Sequence, residues 1–191
     1  TRLQGDWSSD VCSSDLADVV DEATKAFEAF DYARALERTE SFFWWFCDDY
    51  AEIVKARGYS TGASADSARA ALRRALSALQ RLFAPHIPFS TEEVWSWWQD
   101  GSIHTSVWPT RDELLTGTAG FSEHDALLDP LCAVVGIIRR TKTEAKVSQK
   151  TKVAHVSVSA TQGQRDFLQL AIDDLRNAGS IEKLEIGRAH V

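Results

Sequence analysis

The densest apolar pattern in the chain lies in residues 37–57, ERTESFFWWFCDDYAEIVKAR, where Phe42, Phe43, Trp44, Trp45 and Phe46 are followed by Cys47 and, after two aspartates, Tyr50. At 3.6 residues per turn Leu36, Phe43, Phe46, Tyr50, Ile53 and Val54 share one side, and Phe42 and Trp45 flank it. The spacing predicts a helix that Asp31 caps and that runs to about Arg57. Such a helix is apolar over more than half its circumference, which suits an element packed by neighbours on two or three sides. Trp44 falls nearer Ser41, Asp48 and Lys55 and is expected to be partly exposed.

The flanking patterns are simpler. Residues 18–30 place Val19, Val20, Ala23, Ala26, Phe27 and Phe30 on one helical face. Gly58 stops the aromatic helix, GYSTGASAD reads as a polar loop, and a third helix follows Asp66. Its expected buried stripe is Leu72, Ala75, Leu76, Leu79, Leu82 and Phe83, with Arg69, Arg73, Arg74 and Arg81 opposite and without acidic partners nearby in sequence. Ala84-Pro85 ends it, because proline cannot continue the hydrogen-bond ladder. Ser90 and Glu93 suggest a capping box for a short helix holding Val94, Trp95 and Trp98, closed by Asp100-Gly101. SIHTSVWP then reads as an extended segment whose Trp108 packs back on the bundle.

Residues 110–124, with Gly117 and Gly120, read as a polar linker. Beyond it Leu131, Val134, Val135 and Ile138 mark a fifth helix, with Arg139, Lys142 and Lys146 as a basic stripe on another face. VAHVSVSA alternates with period two, Ala154, Val156 and Val158 inward and His155 and Ser157 outward. Leu168, Ala171, Ile172 and Leu175 give a further helix stopped by Gly179, and residues 181–186 a second strand. The expected fold class is mainly α: a helical bundle followed by a small α/β unit.

Composition narrows the function. With 191 residues and 44% hydrophobic content the chain can bury a sizeable core in one or two domains. It has no run of 18 apolar residues and no signal-peptide pattern, so a membrane role is not expected. Cys12, Cys47 and Cys132 are odd in number and far apart, which suggests reduced thiols in a cytoplasmic protein. The chain has no Met and reads as an internal piece of something longer. Residues 1–16 show no usable periodicity and resemble translated adapter sequence, so they are expected to pack poorly; residues 187–191 read as a similar non-native tail.

The net charge is −7, yet residues 139–152 hold six basic side chains against the single acid Glu144. Overall acidity argues against a generic nucleic-acid binder, and leaves room for a selective one with a local basic surface. Catalytic signatures are missing: there is no GxSxG, Walker loop, GxGxxG or HExxH. The five His are scattered with no second ligand at helical spacing, so no metal site is expected. Asp48-Asp49 and Glu92-Glu93 are adjacent, which on a helix points them about 100° apart.

The runs ALERTESFFWWFCDDYAEIVKAR, SARAALRRALSALQRLFAPHIPFSTEEVWSWW and SIHTSVWP resemble the anticodon-binding domain of class I aminoacyl-tRNA synthetases, and are most similar to its valyl members of the actinobacterial kind. The resemblance runs from about residue 19 to 186. It rests on Phe46-Cys47-Asp48 with Tyr50, Glu52 and Lys55, and on Pro85, Pro88-Phe89, Glu92-Glu93 and Trp95; IIRRTKTEAKVS matches the helix leading into the family's small α/β subdomain.

The resemblance implies an anticodon-binding bundle over residues 17–109, a linker over 110–124 and the α/β subdomain over 125–186. It implies tRNA(Val) as partner, with catalytic and editing domains elsewhere in a parent chain that uses ATP, Mg and valine; neither DNA nor a membrane is implied. HIGH and KMSKS signatures are absent from these residues, and KVSQK follows the bundle where the family's loop precedes it, so this stretch is expected to be inactive alone and to hold no cofactor. Isoleucyl or leucyl relatives, and a non-enzymatic helical protein-interaction module, are the alternatives. The candidate tRNA contacts are Arg139, Arg140, Lys142 and Lys146 for phosphates, with Arg73 and Arg74 as further unpaired cations. Arg34, Arg38, Trp44 and Lys55 are the candidates for base contacts.

Overall fold

A computed structural model describes residues 7–116 and 128–188. Helix α1 (Trp7–Glu28) leads into a continuous rod made of α2 (Tyr32–Trp45), a π-helical turn (Phe46–Tyr50) and α3 (Ala51–Gly58). The Asp31 carboxylate accepts the Arg34 N–H at 3.1 Å, the expected cap. Ala35, Thr39, Phe42, Phe46, Tyr50, Ile53 and Val54 are buried, while Leu36 and Phe43 are only half-buried. Phe42 thus takes the place expected of Phe43. The wide π turn absorbs the drift that residues four apart accumulate in a pure α-helix, so one stripe stays in phase along the rod. Along it the rings of Phe42, Phe46 and Tyr50 stack in series at 6.3 and 5.5 Å.

Helix α4 (Ala63–Phe83) begins ahead of Asp66, after Gly62 at φ 99°. Its buried face is mostly alanine (Ala65, Ala68, Ala71, Ala75 and Ala78), joined by Leu79 and Leu82. Leu76, expected inside, is 40% exposed, and Leu72 and Phe83 are half-buried. The small residues let α4 pack against α1 and α3, which displaces the leucines toward the rim. On α1, Val19, Val20, Ala23 and Ala26 are buried as expected, but so are Cys12, Ser13 and Leu16. The expectation of a poorly packed extension is therefore corrected for residues 12–16. Phe30, placed by sequence on the same face, lies past the helix end at φ 59° and is 79% exposed.

Helix α5 (Pro88–Ser96) starts with Pro88 in its first turn and Ile87 as N-cap, without a side-chain cap bond. The Ser90–Glu93 box is therefore not formed; Glu93 accepts the Trp97 indole N–H instead, at 3.2 Å. Glu92 accepts from the Ser102 hydroxyl and the Ile103 N–H, each at 2.9 Å, at a 3₁₀ turn (Ile103–Thr105). Trp108 does fold back: its indole donates to the Thr24 hydroxyl at 2.9 Å and its ring meets Phe27 edge-on. The expected linker begins as structure, because Thr110 caps α6 (Arg111–Leu115), Leu114 is fully buried, and Arg111 bonds Asp18 and Asp21 on α1. The rest of that linker, residues 117–124, lies outside the described residues.

Helix α7 (Leu128–Glu144) buries Leu128, Leu131, Val135 and Ile138. It precedes strand β1 (Val153–Ala160), α8 (Gln162–Leu170), α9 (Ile172–Gly179) and strand β2 (Ile181–Arg188). The single helix expected before the second strand is thus two, broken at Ala171. The strands pair in parallel, with Val153 opposite Ile181 and Ala160 opposite Arg188. Val156 and Val158 are half-buried, whereas Ala154 is exposed and not inward. The second strand runs two residues beyond the expected Ile186, with Gly187 and Arg188 paired to Ser159 and Ala160. Helix α9 ends on Ser180 in the left-handed region, and Gly179 is needed for another reason: a Cβ there would sit 2.8 Å from the Ile181 side chain.

One apolar core runs through both units, and α9 packs on α3. At that contact Arg57 pairs with Asp174 at 3.2 Å, both side chains only 9% exposed. Burial raises the Asp174 carboxyl to about 6, Arg57 opposing the shift and Asp173 adding to it. Because the folded value lies above the unfolded one, the native state holds the extra proton between about pH 4 and 6, and this group's contribution to stability falls as pH rises through that window. Chemical denaturation at pH 4 and pH 7 is expected to show wild type losing roughly 1–3 kcal/mol relative to Asp174→Asn across the interval; parallel pH profiles would contradict the assignment.

Candidate nucleic-acid interface

The basic stripe expected on α7 does not form one face. Lys142 is 5% exposed, on the same line as Leu131, Val135 and Ile138. Its ammonium donates to the carbonyls of Gln149 and Gly179, both at 2.9 Å, and burial pulls its pKa down. It ties α7 to the end of α9 and to the loop before β1, and does not face an outside ligand. Arg139 is half-buried and donates to the Asp48 carbonyl at 2.5 Å, with Asp49 at 3.4 Å, holding α7 against the π turn. Burial raises the Asp49 carboxyl, and Arg139 opposes that shift. Arg140 and Lys146 are exposed and make no ion pair among the described residues. Lys150 and Lys152, further along the same basic run, line a polar cleft of about 720 Å³ with Arg176, Asp173 and Glu182.

The arginines of α4 are also partnered, by segments that local sequence could not reveal. Arg74 donates to the Ser13 hydroxyl and to the carbonyls of Leu114 and Thr116, at 3.2–3.3 Å. Arg81 is 8% exposed and is held by Glu113 and the Val107 carbonyl. Arg69 bonds Asp66 and the carbonyls of Gly58 and Ser60. Arg74 thus makes no ion pair among the described residues, but its guanidinium is occupied by neutral acceptors. Arg73 remains exposed, its guanidinium 5.6 Å from the centre of the Trp98 ring.

On the rod, Trp44 is 54% exposed, as expected; its indole donates to Glu40 at 3.2 Å. Arg38 pairs with Glu22 and Lys55 with Glu52, both at 2.5 Å on exposed side chains, contacts weak enough in water to exchange for a phosphate. Arg34 is exposed with no ion pair among the described residues. Phe30, which the sequence places on the apolar face of α1, and Tyr32, which it does not single out, are both exposed at the turn before Arg34; the signal was their position around a helix cap, where a helical phase no longer applies.

The arrangement offers cations and aromatic faces rather than covalent chemistry. Burial pushes the Cys12 thiol up and the Cys132 thiol to about 12, so neither is a thiolate at neutral pH. Among the described residues no cluster of three or more His, Cys, Asp or Glu could hold a metal ion, and no helix is long and apolar enough to cross a membrane.

A helical bundle of this kind, with exposed arginines and rings on its rod, agrees with the family comparison. A model of the anticodon-binding domain of tRNA ligases matches residues 11–158, and the chain belongs to that family. The match starts inside the segment expected to be foreign. The relatives are valine–tRNA ligases: that of Thermobifida fusca is 49% identical over 170 residues, covering 88% of this chain and 19% of that protein. The valine–tRNA ligase of Leifsonia xyli subsp. xyli is 46% identical over 170 residues, with the same coverage, and that of Salinispora arenicola 42% over 191 residues, 92% of this chain and 22% of that protein. The chain thus spans about a fifth of the length of the curated relatives it matches.

Replacing Lys142 by Ala removes two charge-assisted bonds and strands two carbonyls. The expected cost is about 2–3 kcal/mol in chemical denaturation, with no change in the salt dependence of RNA binding at temperatures where the variant is folded. A stable variant with a reduced salt slope would return Lys142 to the surface.

Proposed function

We propose that this domain docks the anticodon end of tRNA(Val) and positions that tRNA for ATP-dependent valylation by the catalytic domain of a longer parent chain. The observation that carries the reading is membership of the anticodon-binding family over residues 11–158, with valine–tRNA ligase relatives aligned along about nine-tenths of the chain. ATP, Mg and valine belong to the parent's catalytic domain, and an editing domain to the same parent; no chemical step falls to residues of this chain. The work is that of translation in the cytoplasm.

The physics supports the division of labour. Anticodon bases are unstacked, so they can be read by aromatic planes, guanidinium planes and hydrogen bonds to their edges. Exposed Trp44 is suited to a base, and Arg34, Arg38 and Lys55 lie on the same rod. Arg140, Lys146 and Arg73 are suited to phosphates, with Arg139 half-available. A net charge of −7 disfavours RNA that does not align with these few cations.

Filter binding across a salt series tests this. Arg140→Ala with Lys146→Ala should weaken all tRNAs alike and lower the salt slope by about 2. Trp44→Ala should narrow the gap between valine tRNA and other tRNAs by roughly 1–3 kcal/mol. Equal binding of every tRNA by wild type, with no salt dependence, would sink the reading.

A further inference from the structure

The turn between α1 and α2 is closed by two bonds, from the Phe30 N–H to the Phe27 carbonyl at 3.0 Å and from the Asp31 N–H to the Ala26 carbonyl at 2.8 Å. These are the paired bonds of a Schellman helix end, whose closing residue must adopt the left-handed conformation and is usually glycine or asparagine. Here it is Phe30, at φ 59°. A bulky side chain is strained in that region, and burial does not offset the strain, since Phe30 is 79% exposed. A strained, outward aromatic calls for a use beyond the fold.

Its neighbours show what the ring is attached to. Phe30 meets Tyr32, itself 51% exposed, edge-on at 6.4 Å. Tyr32 lies 5.5 Å from Phe27, which in turn contacts His86 at 5.5 Å and Trp108 at 5.3 Å. Phe30 and Tyr32 are therefore the outer faces of a ring network anchored in the bundle. Burial lowers the His86 pKa, which favours the uncharged ring within this network.

The same turn carries unused positive charge. Lys25 and Arg34 line a shallow cavity of about 300 Å³ together with Glu22, Asp31, Ala26 and Ala29. Glu22 is engaged by Arg38 and Asp31 is the cap of α2, whereas Lys25 and Arg34 make no ion pair among the described residues. Lys25 stands in the last turn of α1 and Arg34 in the first turn of α2, either side of the two rings in sequence. Exposed rings with cations on the same turn suit a nucleotide better than an apolar protein surface, because stacking and phosphate attraction are then offered together.

We propose that Phe30 and Tyr32 form a stacking platform for an unpaired base of RNA, with Lys25 and Arg34 holding the adjacent phosphates. The inference rests on the reading of this chain as an RNA-binding domain, and adds a contact that grips a loop nucleotide whatever its identity. Every base has a π-face, so the platform orders the loop and leaves discrimination to other side chains.

The test uses the full chain and an RNA hairpin whose single-stranded loop carries 2-aminopurine, with the same stem closed as a duplex for comparison. Wild type should quench the loop fluorophore. Phe30→Asn, which keeps the left-handed backbone, combined with Tyr32→Ala should abolish the quench and weaken hairpin binding about 5- to 150-fold, leaving duplex affinity and the melting temperature unchanged. Tyr32→Phe should keep both quench and affinity. Wild-type quench and affinity in the double variant would overturn the platform while leaving the functional reading intact, as would an equal loss on hairpin and duplex. Unchanged RNA binding with lost self-association would assign the rings to a protein contact and overturn it too. Failure of wild type to bind either tRNA or hairpin would remove the functional reading, and the platform with it.

Discussion

Ala65, Ala68, Ala71, Ala75 and Ala78 give α4 a face with almost no side-chain bulk, so α1 and α3 can approach it closely. The core they share also holds Val19 and Val20 on α1, Tyr50, Ile53 and Val54 on the rod, and Leu79 and Leu82 toward the end of α4, all at or near complete burial. Larger side chains in that stripe would push the helices apart, since a close-packed interior has no slack to take up extra methylenes. The rod that carries Trp44 is continuous with α3, and α1 ends at the turn that carries Phe30.

What was legible in the sequence was local. The aromatic helix, its Asp31 cap, the return of Trp108 and the order of helices and strands after the bundle follow from periodicity and end signals spanning a few residues. Three things were not legible. The exchange of Phe42 for Phe43 depends on a π turn, which periodicity at 3.6 cannot register. The alanine face of α4 was hidden because leucines weigh more in an apolar pattern than the small residues that set helix distance. The fate of the cations was hidden because their partners are remote: Arg74 meets Leu114, Arg81 meets Glu113, and Lys142 meets Gly179. In the candidate site, exposure of Trp44 was foreseeable, and the break in the α7 stripe was not.

These remote pairs change the electrostatic picture of an already acidic chain. Arg57, Arg81 and Lys142 spend their charge inside, on Asp174, Glu113 and two backbone carbonyls. A buried cation whose partner is removed is costly, so such pairs fix geometry more than they add stability. The outward positive charge is then concentrated at a few places, among them Arg34 with Lys25, Arg73, and Arg140 with Lys146. A polyanion gains from this surface only by presenting phosphates at matching separations, which is a physical basis for selectivity without a broad basic patch.

The parallel pairing of β1 with β2 carries a consequence for how the chain acquires its structure. Parallel neighbours cannot be joined by a tight hairpin; here the crossover is α8 and α9, so Val153 meets Ile181 only after both helices have folded back. Loop closure over that distance must precede any ladder bond, just as closure over longer stretches of chain precedes the bundle's own cross-links, such as Arg74 to Ser13 and Arg111 to Asp18. A ribosome emitting this stretch from its N-terminal end would release the helices of the bundle, and then β1, before β2 emerges to pair with it.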